Sequence, residues 1–433
     1  MPKLVIIADD LTGANDAGVQ FAKYGMKVQV MLGDAVGSSE AAAVEVLVRD
    51  TDSRAVSPEL AFSRVQAASR LVRQAAGTDA MPLIFKKVDS TLRGNLGPEI
   101  DAAIAEFGFN WAAVAPAFPA NGRITAGGWH LLHQTPIAES EIARDPKAPV
   151  HDSVLAELLA KQSCHPVGHV FLSAVSAGPD AIGRSVAELL AAGKKLISFD
   201  ATTETHMRSI AQAIAAAGQA PLWVGCAGLA EMIPAVMGWP QQPAFSAAAD
   251  TEGPVLIVAG SVSKVTHRQM EFFLAQGQGE LVSLQAGNLF VEPADEIARC
   301  ILAAEQALRR GRDVLLASAV EAGAVDQARM AGQTKGIDNQ KVSEVIAEAL
   351  GQVVRGLVGL KPAGLFLTGG DTAIAVCRAL EVSGIDVLAE VSTGIPLGKL
   401  SGGICPGLRV VTKAGAFGSE QAIVDSVTVL KGR

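Results

Sequence analysis

The fold is decided first by residues 4–13, LVIIADDLTG, in which an apolar run ends in two aspartates, a leucine, a threonine and a glycine. A short apolar run rich in β-branched residues and bounded by polar turn residues is typical of a buried strand. A helical pattern begins directly after it, at residue 14. The same order of strand, turn and helix recurs along the chain, which predicts an α/β protein with mainly parallel sheets flanked by helices.

The other apolar runs and helical patterns divide between two halves of the chain. In the first half we expect strands at 4–8, 28–32, 44–48, 83–88, 111–115 and 196–199, and helices at 14–24, 58–75 and 98–107. In the second half we expect strands at 254–259, 313–317, 364–367 and 408–412, and helices near 264–275, 293–310, 340–357, 373–381 and 419–427. Residues 238–253 contain two prolines and several small residues that suit neither a helix nor a central strand. The sequence therefore predicts domains at 1–237 and 254–433, joined by a linker at 238–253.

Length and charge limit the kinds of function. A chain of 433 residues, 49% of them hydrophobic, is long enough for two α/β domains with large cores. The net charge of -8 provides no basic surface for nucleic acid or anionic lipid. Five scattered cysteines and the lack of a run of about 18 apolar residues favour a cytoplasmic protein without a disulfide framework or a membrane anchor. These totals leave open whether the chain forms a homo-oligomer.

Three glycine-containing turns follow predicted strands in the second half. They are AGSVS at 259–263, TGGDTA at 368–373 and TKAGAFG at 412–418. Backbone N–H groups at a strand end and at a helix N-terminus bind phosphate well, and the carboxyl ends of parallel strands meet at one edge of a sheet. We therefore expect the three turns to converge on the phosphates of a nucleotide, whereas one such turn alone would be an ordinary glycine turn.

Several features of this half allow more than one interpretation. Asp371 and Thr372 could cap the following helix, or Thr372 could hold phosphate while Asp371 lies near a metal ion or a ribose. The segment 394–403 could close over the nucleotide or form a hairpin. A Walker A motif is absent, and 178–185 is interpreted as a helix start because it has Arg where that motif needs Lys. No G-x-G-x-x-G follows a strand, which argues against a Rossmann dehydrogenase.

Charged and polar side chains follow predicted strands of the first half. Asp9 and Asp10 follow one strand, RDTDSR at 49–54 follows another, and KKVDSTLRGN at 86–95 a third. Arg and Lys in such a cluster can pair a carboxylate while Asp, Asn and Ser bind hydroxyls, which suits a small hydroxy acid. The alternatives are helix capping by the aspartates and an ordinary solvated loop. The candidate ligands of the acid here are Asp9, Arg54, Lys86, Lys87, Val88, Asp89, Ser90, Arg93 and Asn95.

The stretch 116–152 shows little periodicity, and long irregular segments inside compact domains are often functional. It adds Asn121, Arg123 and His130 to the candidate substrate site. His130 either contacts substrate or packs internally. A zinc site that joins His130 to His133 is disfavoured, because no third ligand is suitably spaced.

Several motifs together resemble the four-carbon acid sugar kinase family. They are IADDLTGAND (7–16), DTDSR (50–54), KKVDSTLRGN (86–95), PAFPANGR (116–123), TGGDTA (368–373) and KAGAFG (413–418). The resemblance spans nearly the whole chain, with Leu11 where many relatives carry Phe. It implies a sugar-acid-binding domain at 1–237 and a nucleotide-binding domain at 254–433, and we expect the active site in the cleft between them.

The resemblance also implies a reaction. Members of the family use ATP to phosphorylate the terminal hydroxyl of a four-carbon sugar acid. Residues 15–20 most resemble the branch that acts on D-threonate, with D-erythronate and 3-oxo-tetronate as the alternatives. For this chain the family implies that Asp9, Arg54 and residues 87–90 bind the acid. The residues expected to bind ATP are Ser261, Gly369, Gly370, Asp371, Thr372, Gly415, Ala416, Phe417 and Gly418.

We expect in-line transfer of the γ-phosphoryl group of Mg-ATP to the C4 hydroxyl, with catalysis mainly by positioning and charge neutralisation. The candidate catalytic carboxylates are Asp9, Asp10 and Asp89, and the ligands of Mg²⁺ are not assigned. Two rival classes remain. A nicotinamide-dependent sugar-acid oxidoreductase would need a dinucleotide fingerprint, and a non-catalytic ligand sensor would need a DNA-binding or partner domain.

Overall fold

The computed structural model describes residues 2–33, 44–77, 80–145, 147–242, 252–260, 263–318 and 323–432. The chain divides into two compact units, residues 1–243 and 244–433. The linker at 238–253 stays a prediction, because residues 243–251 lie outside the described residues. The location of an active site in a cleft between the domains also stays a prediction.

The first unit contains a parallel sheet and a small antiparallel one. Its strands are β1 (Leu4–Ala8), β2 (Val28–Leu32), β3 (Val46–Asp50), β4 (Leu83–Lys87), β5 (Ala112–Ala115), β6 (Arg123–Ala126), β7 (Trp129–Leu132), β8 (Thr135–Pro136), β9 (Val167–Val170), β10 (Leu196–Phe199) and β11 (Leu222–Gly225). The parallel sheet has the order β2-β3-β1-β4-β11-β5-β10-β9, and β6, β7 and β8 form the antiparallel sheet. Most of the parallel strands are buried on both faces and read as apolar runs, whereas the edge strand β9 is only half-buried at Val167 and His169.

Helices pack against the parallel sheet of this unit. They are α1 (Leu11–Ala22), α2 (Pro58–Ala76), α3 (Leu96–Phe107), α4 (Leu155–Gln162), α5 (Leu172–Ser176), α6 (Pro179–Ala191), α7 (Glu204–Ala215), α8 (Ala227–Ala230) and α9 (Ile233–Val236). The start of α2 shows the local rules, since Ser57 caps it with its side chain and Pro58 occupies the first turn. Its buried face contributes Val65 and Val72 to a core that includes Ile84 and Ile100.

The antiparallel sheet lies within residues 116–152, the stretch in which the sequence showed little periodicity. Its β6–β7 turn uses Gly127 and Gly128, whose φ angles of +60° and +83° favour glycine. The amides of both glycines donate hydrogen bonds to the buried carboxylate of Asp200, at 2.9 and 2.8 Å. His169 also contacts this carboxylate, with Nε2 at 3.0 Å. Asp200 therefore anchors the hairpin to the end of β10.

The second unit is also an α/β structure. Its strands are β12 (Val255–Ala259), β13 (Gly279–Ser283), β14 (Asp313–Ala317), β15 (Gly364–Thr368), β16 (Gly384–Ser392), β17 (Ile395–Ser401) and β18 (Arg409–Lys413), in the order β13-β14-β12-β15-β18-β17-β16. Along this order, β13, β14, β12, β15 and β18 pair in parallel. β17 is antiparallel to both of its neighbours, β18 and β16. Its helices are α10 (Lys264–Ala275), α11 (Pro293–Arg309), α12 (Ala324–Thr334), α13 (Asn339–Leu357), α14 (Gly370–Ala379) and α15 (Ala422–Leu430).

The predicted class of fold is confirmed, and the differences are local. Most of segment 394–403 belongs to the β16–β17 hairpin, so the hairpin interpretation is confirmed. The strand predicted at 44–48 begins two residues later. The elements that were not predicted are β6, β7, β8, β9, β11, β13, β16, α5, α7, α8, α9 and α12. Within the described part of the chain, no helix is both long and apolar enough to span a bilayer.

A buried ion pair joins α3 to the sheet. The Lys86 ammonium, on β4, lies 2.7 Å from the Glu99 carboxylate, and their side chains are 0% and 1% exposed. Glu99 also accepts a hydrogen bond from the Ser53 hydroxyl at 2.7 Å. Lys86 donates further bonds to the carbonyl oxygens of Ile7 and Lys87. Every strong donor and acceptor of the pair thus has a partner, as burial of charge requires.

Replacement of one partner of this pair should destabilise the first unit. We expect Glu99→Gln to lower the unfolding free energy by about 3–5 kcal/mol, because the Lys86 charge then stays buried without its counter-charge. Urea unfolding followed by tryptophan fluorescence measures this, since Trp111, Trp129, Trp223 and Trp239 all lie in residues 1–243. As control, Asp152→Asn breaks the exposed pair with Lys161 and should leave the midpoint nearly unchanged. Equal effects of the two changes would contradict this account.

Candidate active site

The two aspartates that follow β1 both contact Arg54, but only Asp10 also caps a helix. Asp10 is the N-cap of α1, and its carboxylate accepts hydrogen bonds from the Gly13 amide, at 2.9 Å, and from the Thr12 hydroxyl. The Asp9 carboxylate, 2% exposed, accepts two hydrogen bonds from Arg54, from Nε at 2.6 Å and from Nη2 at 2.9 Å. Capping is therefore confirmed for Asp10, whereas Asp9 belongs to a buried two-pronged ion pair.

Arg54 connects these aspartates to the turn after β4. Its Nη2 also contacts the Asp10 carboxylate and lies 3.9 Å from Asp89 Oδ1. Asp89 in turn accepts a hydrogen bond from Arg93 Nε at 2.7 Å, and Arg93 Nη1 lies 3.1 Å from Asp145. The residues that follow β1, β3 and β4 thus form one continuous network of charges, which we call the acid cluster.

Both central carboxylates of the acid cluster are held in the ionised form. Burial opposes ionisation of Asp9, but the positive charges of Arg54 and Lys87 outweigh it and lower the pKa of this carboxyl. Burial likewise opposes ionisation of Asp89, and Arg93 and Arg54 hold its pKa well below the usual range. At neutral pH both groups are anions that can accept hydrogen bonds from hydroxyls, and both are weak bases.

Lys87, at the end of β4, is a cation of the acid cluster with a different environment. It is 3% exposed and forms no direct ion pair or side-chain hydrogen bond within the described residues, although its charge acts on the nearby Asp9 carboxylate. A Cβ atom placed on Gly13 would lie 2.5 Å from Lys87 Nζ and 2.5 Å from Asp10 Oδ1. The absence of a side chain at Gly13 therefore leaves the space in which the ammonium and the aspartate approach each other.

Several residues predicted to be ligands contact other protein groups next to the acid cluster. The Lys86 ammonium is fully buried on Glu99 and backbone carbonyls, and Val88 is a core residue, 1% exposed. Asn95 Nδ2 donates to the carbonyl oxygens of Ser53 and Val56, both at 3.0 Å. Asn95 thereby fixes the loop that carries Arg54.

His130 holds the turn after β4 in a similar way. Its Nε2 lies 2.8 Å from the Ser90 carbonyl oxygen, and its Nδ1 lies 3.0 Å from the Thr125 hydroxyl. Burial lowers the pKa of His130 to about 4, so the ring is neutral, with Nε2–H donating to Ser90. Both ring nitrogens have protein partners, which favours the internal packing of the two interpretations.

The antiparallel sheet brings Arg123 towards the acid cluster. Arg123 is 5% exposed and donates to the carbonyl oxygen of Asn121. Burial lowers its pKa, while the negative charges of Asp89 and Asp16 oppose this shift.

Cys226, which follows β11, is a buried residue that the sequence analysis did not place near the candidate site. Its thiol donates to the Pro116 carbonyl oxygen at 3.1 Å. Burial raises the pKa of Cys226 to about 12, so the thiol is neutral and inert.

In the second unit the predicted turns lie at neighbouring strand ends. β15 pairs with β12 through Thr368 and Ala259, and with β18 through Thr368 and Lys413. The Gly369 amide donates to the Lys413 carbonyl oxygen at 3.0 Å. A Cβ atom on Gly260 would lie 2.1 Å from Thr372 Oγ1, so these two turns are in contact. Within this unit the turns converge as predicted.

Ser261 and Asp371 are two residues of these turns for which the structure gives no direct agreement with the prediction. Ser261 lies outside the described residues. The N-cap of α14 is Gly369, with φ of +100°, so Asp371 lies inside the first turn of the helix rather than at the cap. Asp371 is exposed there, at the helix end that attracts anions.

The turn after β18, residues 414–419, is held by side chains that the sequence did not indicate. We call it the 414–419 loop; it contains the predicted Gly415, Ala416, Phe417 and Gly418. Lys413 Nζ, fully buried, donates to the carbonyl oxygens of residues 414 and 415, both at 3.0 Å. From α10, the Thr266 hydroxyl donates to the residue 415 carbonyl at 2.9 Å. Gln269 Nε2 donates to the carbonyls of residues 417, 418 and 419.

A group with metal-ligand chemistry lies elsewhere in the first unit. The ligand atoms of Asp101, Cys164 and His165 all lie within 4.8 Å of one another. The Asp101 oxygens already accept hydrogen bonds from the Ser163 hydroxyl at 2.6 Å and the Cys164 amide at 2.9 Å. These bonds fix the turn that follows α4, and they account for the group without a metal ion.

Two family models match the chain. Residues 4–233 match a sugar-binding N-terminal domain, and residues 256–423 match a nucleotide-binding C-terminal domain. A D-threonate kinase from Salmonella typhimurium is 36% identical over 98% of this chain and 97% of its own length. A D-erythronate kinase from Heliobacterium modesticaldum is 34% identical over 99% of this chain and 97% of its own length.

A solved structure shows the same fold. A protein from Salmonella typhimurium LT2, described as a putative tRNA synthase, superposes with a TM-score of 0.81 and 22% sequence identity, over 98% of this chain and 99% of that one. This likeness concerns the fold alone. The two domain models and the full-length relatives carry the assignment: this chain belongs to the four-carbon acid sugar kinase family.

Proposed function

We propose that this chain transfers the γ-phosphoryl group of ATP to the C4 hydroxyl of D-threonate. The observation that carries the proposal is that each family model falls on a unit with the corresponding chemistry. The sugar-binding model covers the acid cluster, and the nucleotide-binding model covers the converging glycine turns. The D-threonate kinase from Salmonella supports the choice of acid.

The acid cluster suits a polyhydroxy acid. Lys87 is a buried cation that forms no direct ion pair within the described residues, although Asp9 and Asp10 lie near it, and a substrate carboxylate would give it a direct partner. Ionised Asp9 and Asp89 would accept hydrogen bonds from substrate hydroxyls. Arg54 would keep these carboxylates together and offer its remaining surface to the ligand. In this proposal Lys86, Asn95 and His130 position the ligand-binding loops and do not contact the acid.

The glycine turns of the second unit suit the phosphates of ATP. Backbone amides at the start of α14 and in the 414–419 loop would bind phosphate oxygens, with the helix dipole favouring the same charge. Asp371 could supply an oxygen ligand to Mg²⁺, which is otherwise held by phosphate oxygens and water. The ion would neutralise charge on the phosphates during transfer.

The chemistry then depends on positioning. Phosphoryl transfer through a loose transition state needs an aligned hydroxyl more than a strong base. The low pKa values of Asp9 and Asp89 fit this requirement, because a weak base can orient a hydroxyl and take its proton late. Asp10 is engaged as the α1 cap, so its proposed part is to fix Arg54 and Gly13.

A substrate screen tests the proposal directly. We expect ADP release with D-threonate in the presence of Mg²⁺ to exceed that with D-erythronate or 3-oxo-tetronate by at least about tenfold in kcat/KM, which corresponds to one well-placed hydrogen bond. A coupled ADP assay over these acids measures it. Preference for D-erythronate or 3-oxo-tetronate would retain the kinase and overturn the choice of acid. Nicotinamide reduction, or ligand binding without turnover, would support the rival classes.

Removal of the Lys87 charge should affect the acid and not the nucleotide. We expect Lys87→Met to lower kcat/KM for the acid about 10- to 100-fold, since a hydrogen bond to a charged group is lost. The KM for ATP should stay close to that of the unmodified chain, because Lys87 lies in the unit that the sugar-binding model matches, and thermal unfolding shows whether the variant folds. Steady-state kinetics with each substrate varied measures this, with exposed Lys161→Met as control. Unchanged kcat/KM would remove Lys87 from the proposed site.

A methyl group at Gly13 should disrupt the acid cluster. We expect Gly13→Ala to reduce activity by at least about 100-fold, because the new Cβ would lie 2.5 Å from both Lys87 Nζ and Asp10 Oδ1. Gly183→Ala is a matched control, since this glycine lies on α6 with open space around it. The control should retain activity and gain stability by up to about 1 kcal/mol from helix propensity. Activity and thermal unfolding are measured for both, and full activity of Gly13→Ala would contradict this geometry.

A further inference from the structure

The 414–419 loop has its carbonyl groups and its amide groups in different environments. Donors from α10 and β18 bind the carbonyl oxygens of residues 414, 415, 417, 418 and 419. These donors are Lys413, Thr266 and Gln269, which are 0% exposed. The carbonyl side of the loop therefore faces the interior of the unit.

The amide side of the same loop is left open. No described residue accepts a hydrogen bond from the amides of Gly415, Ala416 or Gly418. Ala416 and Gly418 are exposed. The Phe417 amide between them donates to the residue 414 carbonyl at 3.1 Å, which closes the turn. Several unpaired N–H groups in one turn are an anion-binding feature, and its strength depends on the N–H groups being held in place before the anion arrives.

The Lys413 side chain lies directly behind this loop, and its Nζ donates to three acceptors, which requires the ammonium form. The Lys413 ammonium forms no ion pair with any described residue, and burial is the cause that lowers its pKa to about 7. Besides the two loop carbonyls, its partner is the Thr266 hydroxyl at 3.3 Å. A buried ammonium without a counter-charge is costly, and an anion bound at the loop would reduce this cost.

We propose that Lys413, Thr266 and Gln269 are positioning residues for nucleotide phosphate, because they turn the carbonyl groups of the 414–419 loop inward and leave its amides directed at the phosphates. The inference rests on the proposed function, since it assigns the phosphate-binding role to this loop. Thr266 and Gln269 are three residues apart on α10 and so present one face to the loop. Lys413 adds its charge from the adjoining strand. None of the three side chains contacts the nucleotide itself.

The Thr266 hydroxyl allows a clean test. Thr266→Val keeps the shape of the side chain and removes the donor to the residue 415 carbonyl, whereas Thr266→Ser keeps the donor. Isothermal titration of the full chain with ADP and with adenosine measures the two affinities. We expect Thr266→Val to weaken ADP binding about fivefold to tenfold and adenosine binding less than about twofold, and Thr266→Ser to restore ADP binding. Thr428→Val, which removes a hydroxyl bonded to a helix carbonyl on α15, is the matched control and should change neither.

Lys413→Met provides a second variant that does not depend on Thr266. We expect a loss of about 10- to 100-fold in ADP affinity, again with adenosine nearly unaffected, because both loop order and a local positive charge are lost. Thermal unfolding without ligand shows whether each variant folds. A loss that is equal for ADP and adenosine, or no loss in either variant, would overturn the positioning role while the kinase assignment stands. If the unmodified chain binds adenosine and ADP equally, or binds neither, the proposed nucleotide site fails and this inference fails with it.

Discussion

The structure of the acid cluster depends on one ion pair, between Asp9 and Arg54. β1 lies between β3 and β4, so the register places Asp9 one residue beyond the paired ends of both neighbours. Asp10 and Asp89 reach the same place, and three carboxylates there would repel one another in a partly buried setting. The Arg54 guanidinium contacts all three and is fixed in turn by the backbone contacts of Asn95. The loops after three strands therefore share one centre of charge.

The candidate sites of the two units are built by different physical means. In the first unit, side-chain charges are placed at fixed points, and ionised Asp9 and Asp89 accept hydrogen bonds only from particular directions. Such a site can distinguish the arrangement of hydroxyl groups on a carbon chain. In the second unit, the candidate contacts are backbone amides and a helix N-terminus, which recognise the charge of a phosphate group and carry little stereochemical information. In the proposed function, selection among sugar acids would therefore rest on residues 9–16, 49–54 and 86–95, and the 414–419 loop would serve any four-carbon acid.

Sequence reasoning succeeded where structure and chemistry are encoded in adjacent residues. The run 4–8 and the glycine turns 368–373 and 412–418 each contain a strand end and its turn, so their placement follows from local rules. β9 and β11 are four residues long and gave too little pattern to identify. The β16–β17 hairpin was found only as one of two interpretations of a glycine-rich segment. Asp9 and Asp10 are neighbours that both pair with Arg54, and only the structure shows that Asp10 also caps α1.

The residues that the sequence did not reveal act across long separations. Thr266 and Gln269 precede the loop they hold by roughly 150 residues, and nothing in the helical pattern of α10 marks a threonine or glutamine as a donor to a distant carbonyl. The same reason explains His130, which could be assigned to packing only once its two ring nitrogens were seen on Ser90 and Thr125. Buried polar side chains of this kind must find partners, because an unpaired polar group in the interior costs free energy. Where a buried polar side chain hydrogen-bonds to the backbone of a turn, the same bond gives the side chain its partner and fixes the conformation of the turn. A turn fixed in this way can present its free amides to an anion without being reordered.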